Sequence, residues 1–197
     1  MRVALTGGPP QFLGDIPSEG EIRCARTANL CVVSGSDPEH RVLYALDPAK
    51  GKGRELLRTD PAPNPGEDKD WDVSPDGLSL AFIKGDAQRK SFQIQVRPLA
   101  GGVGSELNIS GWGSNAGECI RWAADGKGWY VTLREGLDPV GVSATNGWKL
   151  LKVDLTGRST QLVPGSTWGV PIPSPDGRHV AVTGQVLTSN VGMLENF

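Results

Sequence analysis

Arg23, Asp72 and Arg121 follow one another at steps of 49 residues, and Ile172 stands 51 residues beyond the last. If the chain repeats at that period, these side chains occupy equivalent positions and point the same way. Two chemistries then compete. Arginines and a carboxylate can pair with one another and do nothing else, which is the plainer expectation; alternatively, two guanidinium groups can hold an anionic ligand through bidentate hydrogen bonds. Glu21, Asp70 and Glu118 come just before the same segments. Asp70, Asp72 and Glu118 could together hold a hard cation such as Ca²⁺, which takes clustered carboxylate and carbonyl oxygens. Acidic loops are more often simply solvated, and Glu67-Asp68-Lys69-Asp70 lacks calcium-loop spacing.

Of the two histidines, His179 falls in an expected strand, where a structural role is the better reading. His40 follows Asp37-Pro38-Glu39 in a loop and is the one plausible general base of its type. No nucleophile pairs with it by spacing, and there is no Gly-x-Ser-x-Gly elbow. Trp112 and Trp168 sit in Gly/Ser-rich linkers, where an exposed ring could meet a ligand or could pack between repeats. Trp122 and Trp129 belong to the repeat pattern and read as core.

The elements that must position these residues come from that repeat. Trp71-Asp72-Val73-Ser74-Pro75-Asp76-Gly77, Ile120 to Gly126 and Pro171 to Gly177 each end in Asp-Gly and lead into an apolar-rich strand: Leu80–Ile83, Trp129–Thr132 and His179–Val182. Asp-Gly between such strands signals a hairpin, because Gly tolerates the positive φ of a tight turn. A degenerate copy, Ile22 to Val33, lies over Ile120 to Val131 without a gap. Third strands follow at Val42–Leu46, Phe92–Val96, Lys149–Val153 and Val191–Leu194, and fourth strands at Arg54–Leu57, Glu106–Ile109 and Thr160–Val163. Four antiparallel strands per repeat of roughly 45–50 residues is the sequence mark of a β-propeller blade. The expected fold is therefore all-β: a single domain over residues 1–197, with blades at about 20–60, 69–111, 118–165 and 169–197. The segment Arg2 to Gly7 reads as an outer strand that completes the last blade and removes an exposed edge. Glu135 to Asn146 is the largest insertion and the first place to look for recognition.

Composition agrees. The chain has 27 Gly and 15 Pro in 197 residues, a density of turn formers that disfavours long helices. A net charge of −2 without any Lys/Arg block gives no case for nucleic acid. No apolar run approaches the ~18 residues that span a membrane. The start, MRVALTGGPPQFLGD, lacks the apolar stretch of a signal peptide, so a cytoplasmic location is expected for the chain as given, with a periplasmic or extracellular one as the alternative. Cys24, Cys31 and Cys119 form no CxxC motif and read as free core thiols rather than a disulfide framework or a metal site.

The Ser-Pro-Asp-Gly motif, intact at Ser74–Gly77 and Ser174–Gly177 and altered to Ala-Ala-Asp-Gly at Ala123–Gly126, resembles the TolB-type, WD40-like (PD40) repeats of bacterial propellers. The ending from Ser189 to Phe197 is similar to that of propellers following bacterial Ser/Thr kinase domains. No Gly-rich loop, HRD or DFG segment is present, so kinase activity does not carry over. The resemblance implies that first strands line a central channel and that ligands meet the channel face. Such propellers usually have more blades; two chains sharing one eight-bladed ring would relieve the curvature of a four-bladed one, so a homodimer is expected. The functional expectation is a non-catalytic binding or scaffold module for a protein or a small anionic ligand, with no resident cofactor. The rival is an ester or phosphoester hydrolase using the charged channel, with or without a bound metal.

Overall fold

The computed structural model describes residues 6–10, 12, 20–36, 40–47, 50–59, 68–86, 91–112, 117–134, 148–163 and 168–183. They form an all-β, four-bladed propeller. Blade 1 comprises β1 (Ile22–Cys24), β2 (Cys31–Ser36), β3 (Arg41–Asp47) and β4 (Gly51–Arg58). Blade 2 comprises β5 (Asp68–Val73), β6 (Ser79–Asp86), β7 (Ser91–Pro98) and β8 (Ser105–Ile109). Blade 3 comprises β9 (Gly117–Trp122), β10 (Gly128–Arg134), β11 (Trp148–Asp154) and β12 (Ser159–Val163). Each is an antiparallel meander in sequence order. The described part of blade 4 is the pair β13 (Trp168–Pro173) and β14 (Val180–Thr183). The expected third strand of that blade, residues 2–5 of the closing strand and the insertion at 135–146 lie outside the described residues.

The core lies between blades, because strands covered on both faces carry apolar side chains in both alternating sets. In blade 2, Leu80 and Phe82 turn towards blade 1 and join Val32, Leu43, Trp71 and Val73. The alternate residues Ala81 and Ile83 turn the other way and, with Phe92, Ile94 and Ile109, meet Ile120, Trp122, Trp129, Val131 and Leu151 of blade 3. Trp122 and Trp129 stand opposite one another in the register, with ring centroids 4.8 Å apart. A smaller cluster of Ala123, Tyr130 and Leu150 takes Val180 and Val182 of blade 4.

The Asp-Gly hairpins differ from the two-residue turn that the dipeptide suggests. Val73 pairs with Leu80, and the Ser74 N–H donates to the Ser79 carbonyl at 2.9 Å, so the loop is longer. Its serine explains the motif: the Ser74 hydroxyl donates to Asp76 Oδ1 (2.5 Å) and accepts from the Ser79 N–H (2.9 Å). Ser174 repeats both contacts with Asp176 and His179, which places His179 in the turn just ahead of β14. Gly77 has φ +72°, and a Cβ there would come within 2.9 Å of the Ala28 Cβ, so both its conformation and its contact demand glycine. In blade 3 the position is Ala123; the turn keeps its backbone bonds, and Asp125 Oδ1 accepts only from the Lys127 N–H among the described contacts.

The cysteine expectation is corrected. The register sets Cys24 opposite Cys31, and the two form a disulfide with Cα atoms 4.0 Å apart; Cys119 is not in a disulfide. A pairing of facing strands decides this, and spacing in the sequence does not reveal it. The braced turn between them joins blades. Arg26 and Thr27 donate backbone N–H groups to the Pro75 carbonyl at 3.0 and 2.8 Å, and the Arg26 guanidinium donates to the Pro173 and Ser174 carbonyls of blade 4, both at 3.0 Å. Closing so short a loop is worth about 2 kcal/mol by chain entropy. Thermal melts should therefore show that Cys24→Ser/Cys31→Ser lowers the Tm by about 4–8 °C, and that a thiol reductant lowers it for the wild type but not for the variant.

Candidate functional site

The inner strands present a charged cluster centred on Asp70. β5 alternates, so that Trp71 and Val73 join the apolar layer against blade 1 while Asp70 and Asp72 face blade 3. There they meet β9, the inner edge of its sheet, whose Ile120 and Trp122 N–H groups point away from β10. Asp70 Oδ2 accepts from the Ile120 N–H at 3.0 Å, and Asp72 Oδ2 accepts from the Trp122 N–H at 2.7 Å. An edge strand leaves such donors unpaired, and two carboxylates from the preceding blade take them.

The arginines complete the cluster. Arg121 Nη1 donates to Asp70 Oδ2 at 2.5 Å and also to the Ile120 carbonyl. Arg23 Nη2 lies 3.5 Å from Asp70 Oδ1 and 3.2 Å from Glu21 Oε1, and its guanidinium carbon stands 5.8 Å from the centre of the Trp71 ring. Asp70 and Arg121 are buried. Exposure grows towards blade 1, reaching 19% for the Arg23 side chain and 46% for Glu21. Ile172, the fourth equivalent residue, is exposed and contributes no charge.

Asp72 differs from Asp70 in having no direct ion pair among the described residues. Burial pushes its carboxyl from 3.8 up to about 6; the Trp122 N–H and the positive charges of Arg121 and Arg23 oppose that rise only in part. Its native pKa exceeds its unfolded value, so the native state holds the proton more tightly. Asp72 therefore favours folding below about pH 3.8, and this contribution is lost as pH rises through about 6.

Other candidates fall elsewhere. Trp112 is half-buried against the cluster between blades 2 and 3; its Nε1 donates to Ser159 Oγ at 2.6 Å and the Lys149 ammonium stands 5.6 Å from its ring centre. Trp168 lies in β13, with its backbone paired to Thr183, and its side chain is outside the described residues. His40 precedes β3, half-buried, at the end of blade 1 where β1 begins. The structure thus brings Arg23, Arg121, Asp70 and Asp72 together, and does not join His40 or Trp112 to them. The Glu118 side chain is outside the described residues, and among those that are described no group of three metal-ligating side chains forms. Asp70 and Asp72 face N–H donors, the opposite of what a cation needs. The bridge made by Arg26 has no counterpart in the sequence reading, since nothing in a lone turn arginine marks a contact 148 residues away.

Against known structures, the chain superposes on TolB from Acinetobacter baumannii with a TM-score of 0.67 at 16% identity, covering 95% of this chain and 43% of that one. The fold is that of a TolB-like β-propeller. A Synechocystis apocarotenoid oxygenase mutant superposes at a TM-score of 0.52 and 12% identity, over 83% of this chain and 44% of that one. The chain thus spans less than half the length of either. No protein-family model matches it, and no curated protein matches it.

Two substitutions separate the aspartates. Asp70→Ala strands a buried guanidinium and a strand N–H, and should cost about 3–5 kcal/mol in denaturant melts. Asp72→Asn keeps an acceptor for Trp122 and removes the titration. The wild type minus Asp72→Asn stability difference should fall by up to about 3 kcal/mol as pH rises from 4 to 7, a trend that urea melts across that range would read.

Proposed function

We propose that this chain is a non-catalytic propeller module that recognises an anionic ligand or a protein partner at its channel face, through the Arg23–Glu21 end of the charged cluster. One observation carries the reading: Asp70, Asp72 and Arg121 are buried and committed to the inner edge of blade 3, whereas Arg23 and Glu21 keep exposed surface and a looser pairing. Chemistry that displaced Asp70 or Asp72 would uncover the backbone they hold. Recognition at Arg23 leaves that frame intact. The TolB-like fold supports a binding role at this coarse level and says nothing of the ligand.

The raised pKa of Asp72 is the one feature that favours the hydrolase rival, since a carboxyl titrating near 6 can move a proton near neutral pH. Its place is against it, because the carboxylate lies buried on the Trp122 N–H. The bridge from Arg26 to blade 4 favours a ring closed within one chain over an eight-bladed pair.

The test is an NMR titration with citrate, read at the Arg23 side chain, alongside assays with p-nitrophenyl acetate and p-nitrophenyl phosphate. Saturable shifts at Arg23 that vanish in Arg23→Gln, with no turnover above the Asp72→Asn background, are expected. Saturable turnover abolished by Asp72→Asn would overturn the reading in favour of the hydrolase.

A further inference from the structure

The faces of neighbouring blades diverge towards the rim, so apolar side chains fill the inner part of each gap and the outer part opens. Between blades 1 and 2 the opening is a cavity of about 300 Å³, lined by three cationic side chains. Arg58 of β4, Lys84 of β6 and Arg97 of β7 line it above Phe82 and Leu57, and no carboxylate is among the described residues of its wall. The register explains the convergence. Phe82 stands opposite Gln95 and Leu80 opposite Arg97, so Phe82, Lys84, Gln95 and Arg97 share the face of blade 2 that turns to blade 1.

Two acids border this wall, and Lys84 has an interaction partner of its own. Glu55 takes Arg58 in a two-point pair at 2.9 and 3.2 Å. Glu106 accepts from Gln95 Nε2 at 2.8 Å and lies 3.9 Å from Arg97 Nη2, a loose ion pair. Arg97 is 42% exposed, and it lies so close over Gly104 that a Cβ there would come within 2.9 Å of its Cδ and Nη1. A guanidinium seated this way, loosely paired and facing a cavity with two more cations, has the fork geometry for a tetrahedral oxyanion.

We propose that the cavity between blades 1 and 2 is an oxyanion site, with Arg97 as its principal ligand and Lys84 and Arg58 as supporting charges, that takes phosphate or the phosphoryl end of a phosphomonoester. The Phe82 and Leu57 floor favours a monoester whose remainder is apolar. The site lies on the outer strands and stands or falls apart from the channel reading.

The test is an NMR titration of the full chain with inorganic phosphate and with phenyl phosphate, ionic strength held constant with sodium chloride. Saturable shifts at the Arg97 Nε–H and the Gln95 side-chain amide are expected, with binding at least about tenfold weaker in Arg97→Gln, the loss that one charge-assisted hydrogen bond predicts. Tighter binding of phenyl phosphate identifies a monoester site, and equal binding a site for the bare anion. Shifts that chloride reproduces, that survive Arg97→Gln unchanged, or that fall at Arg23 instead overturn the proposal. Arg97→Lys keeps the charge without the fork and should recover only part of the affinity; circular dichroism of both variants shows that they fold.

Discussion

Every blade of a propeller turns the inner edge of its sheet towards the axis, and the unpaired N–H groups of that edge must find acceptors. In blade 3 the answer is two carboxylates from the blade before it: Asp70 on Ile120 and Asp72 on Trp122. The rest of the channel follows from this contact. Two buried anions require compensation, and Arg121 and Arg23 gather round Asp70 to supply it. The pairs repay desolvation only because hydrogen bonds to backbone complete them. Asp72, without a direct ion pair among the described residues, carries the cost of burial as a raised pKa.

The same alternation serves the core and the channel at once. Along β5 the odd residues Trp71 and Val73 seal the gap to blade 1, and the even residues Asp70 and Asp72 dock on blade 3. A one-residue slip would exchange the two sets and bury carboxylates in the apolar layer. The Ser-Pro-Asp-Gly turn guards against such a slip. Its serine fixes the loop end to end, and its glycine lets blade 1 approach at Ala28.

Function, on this view, lies where the frame leaves side chains uncommitted. The channel offers the exposed Arg23–Glu21 end of an otherwise locked cluster. The rim offers Arg97, whose ion pair with Glu106 is loose at 3.9 Å because the same oxygen also accepts from Gln95. The rim place gathers cations, the channel end pairs Arg23 with Glu21 and Asp70, and both lie beside the first described blade.

What the sequence by itself determined is what repeats: strand order, turn positions and the equivalence of Arg23, Asp72 and Arg121 all follow from a period near 49, because each blade solves the same local problem with the same residues. The apolar run Leu80–Ile83 marked a strand, and the structure covers that strand on both faces. Tertiary structure alone decided which equivalent residues touch. It made Asp70 the hub, where the sequence suggested a solvated acid or a cation ligand, and it turned Trp112 inward onto Ser159. It also joined Cys24 to Cys31 and carried Arg26 to blade 4. The reason is physical: periodicity fixes the direction of a side chain within its own blade, whereas its partner is set by the distance and tilt of the next blade, which no single repeat encodes.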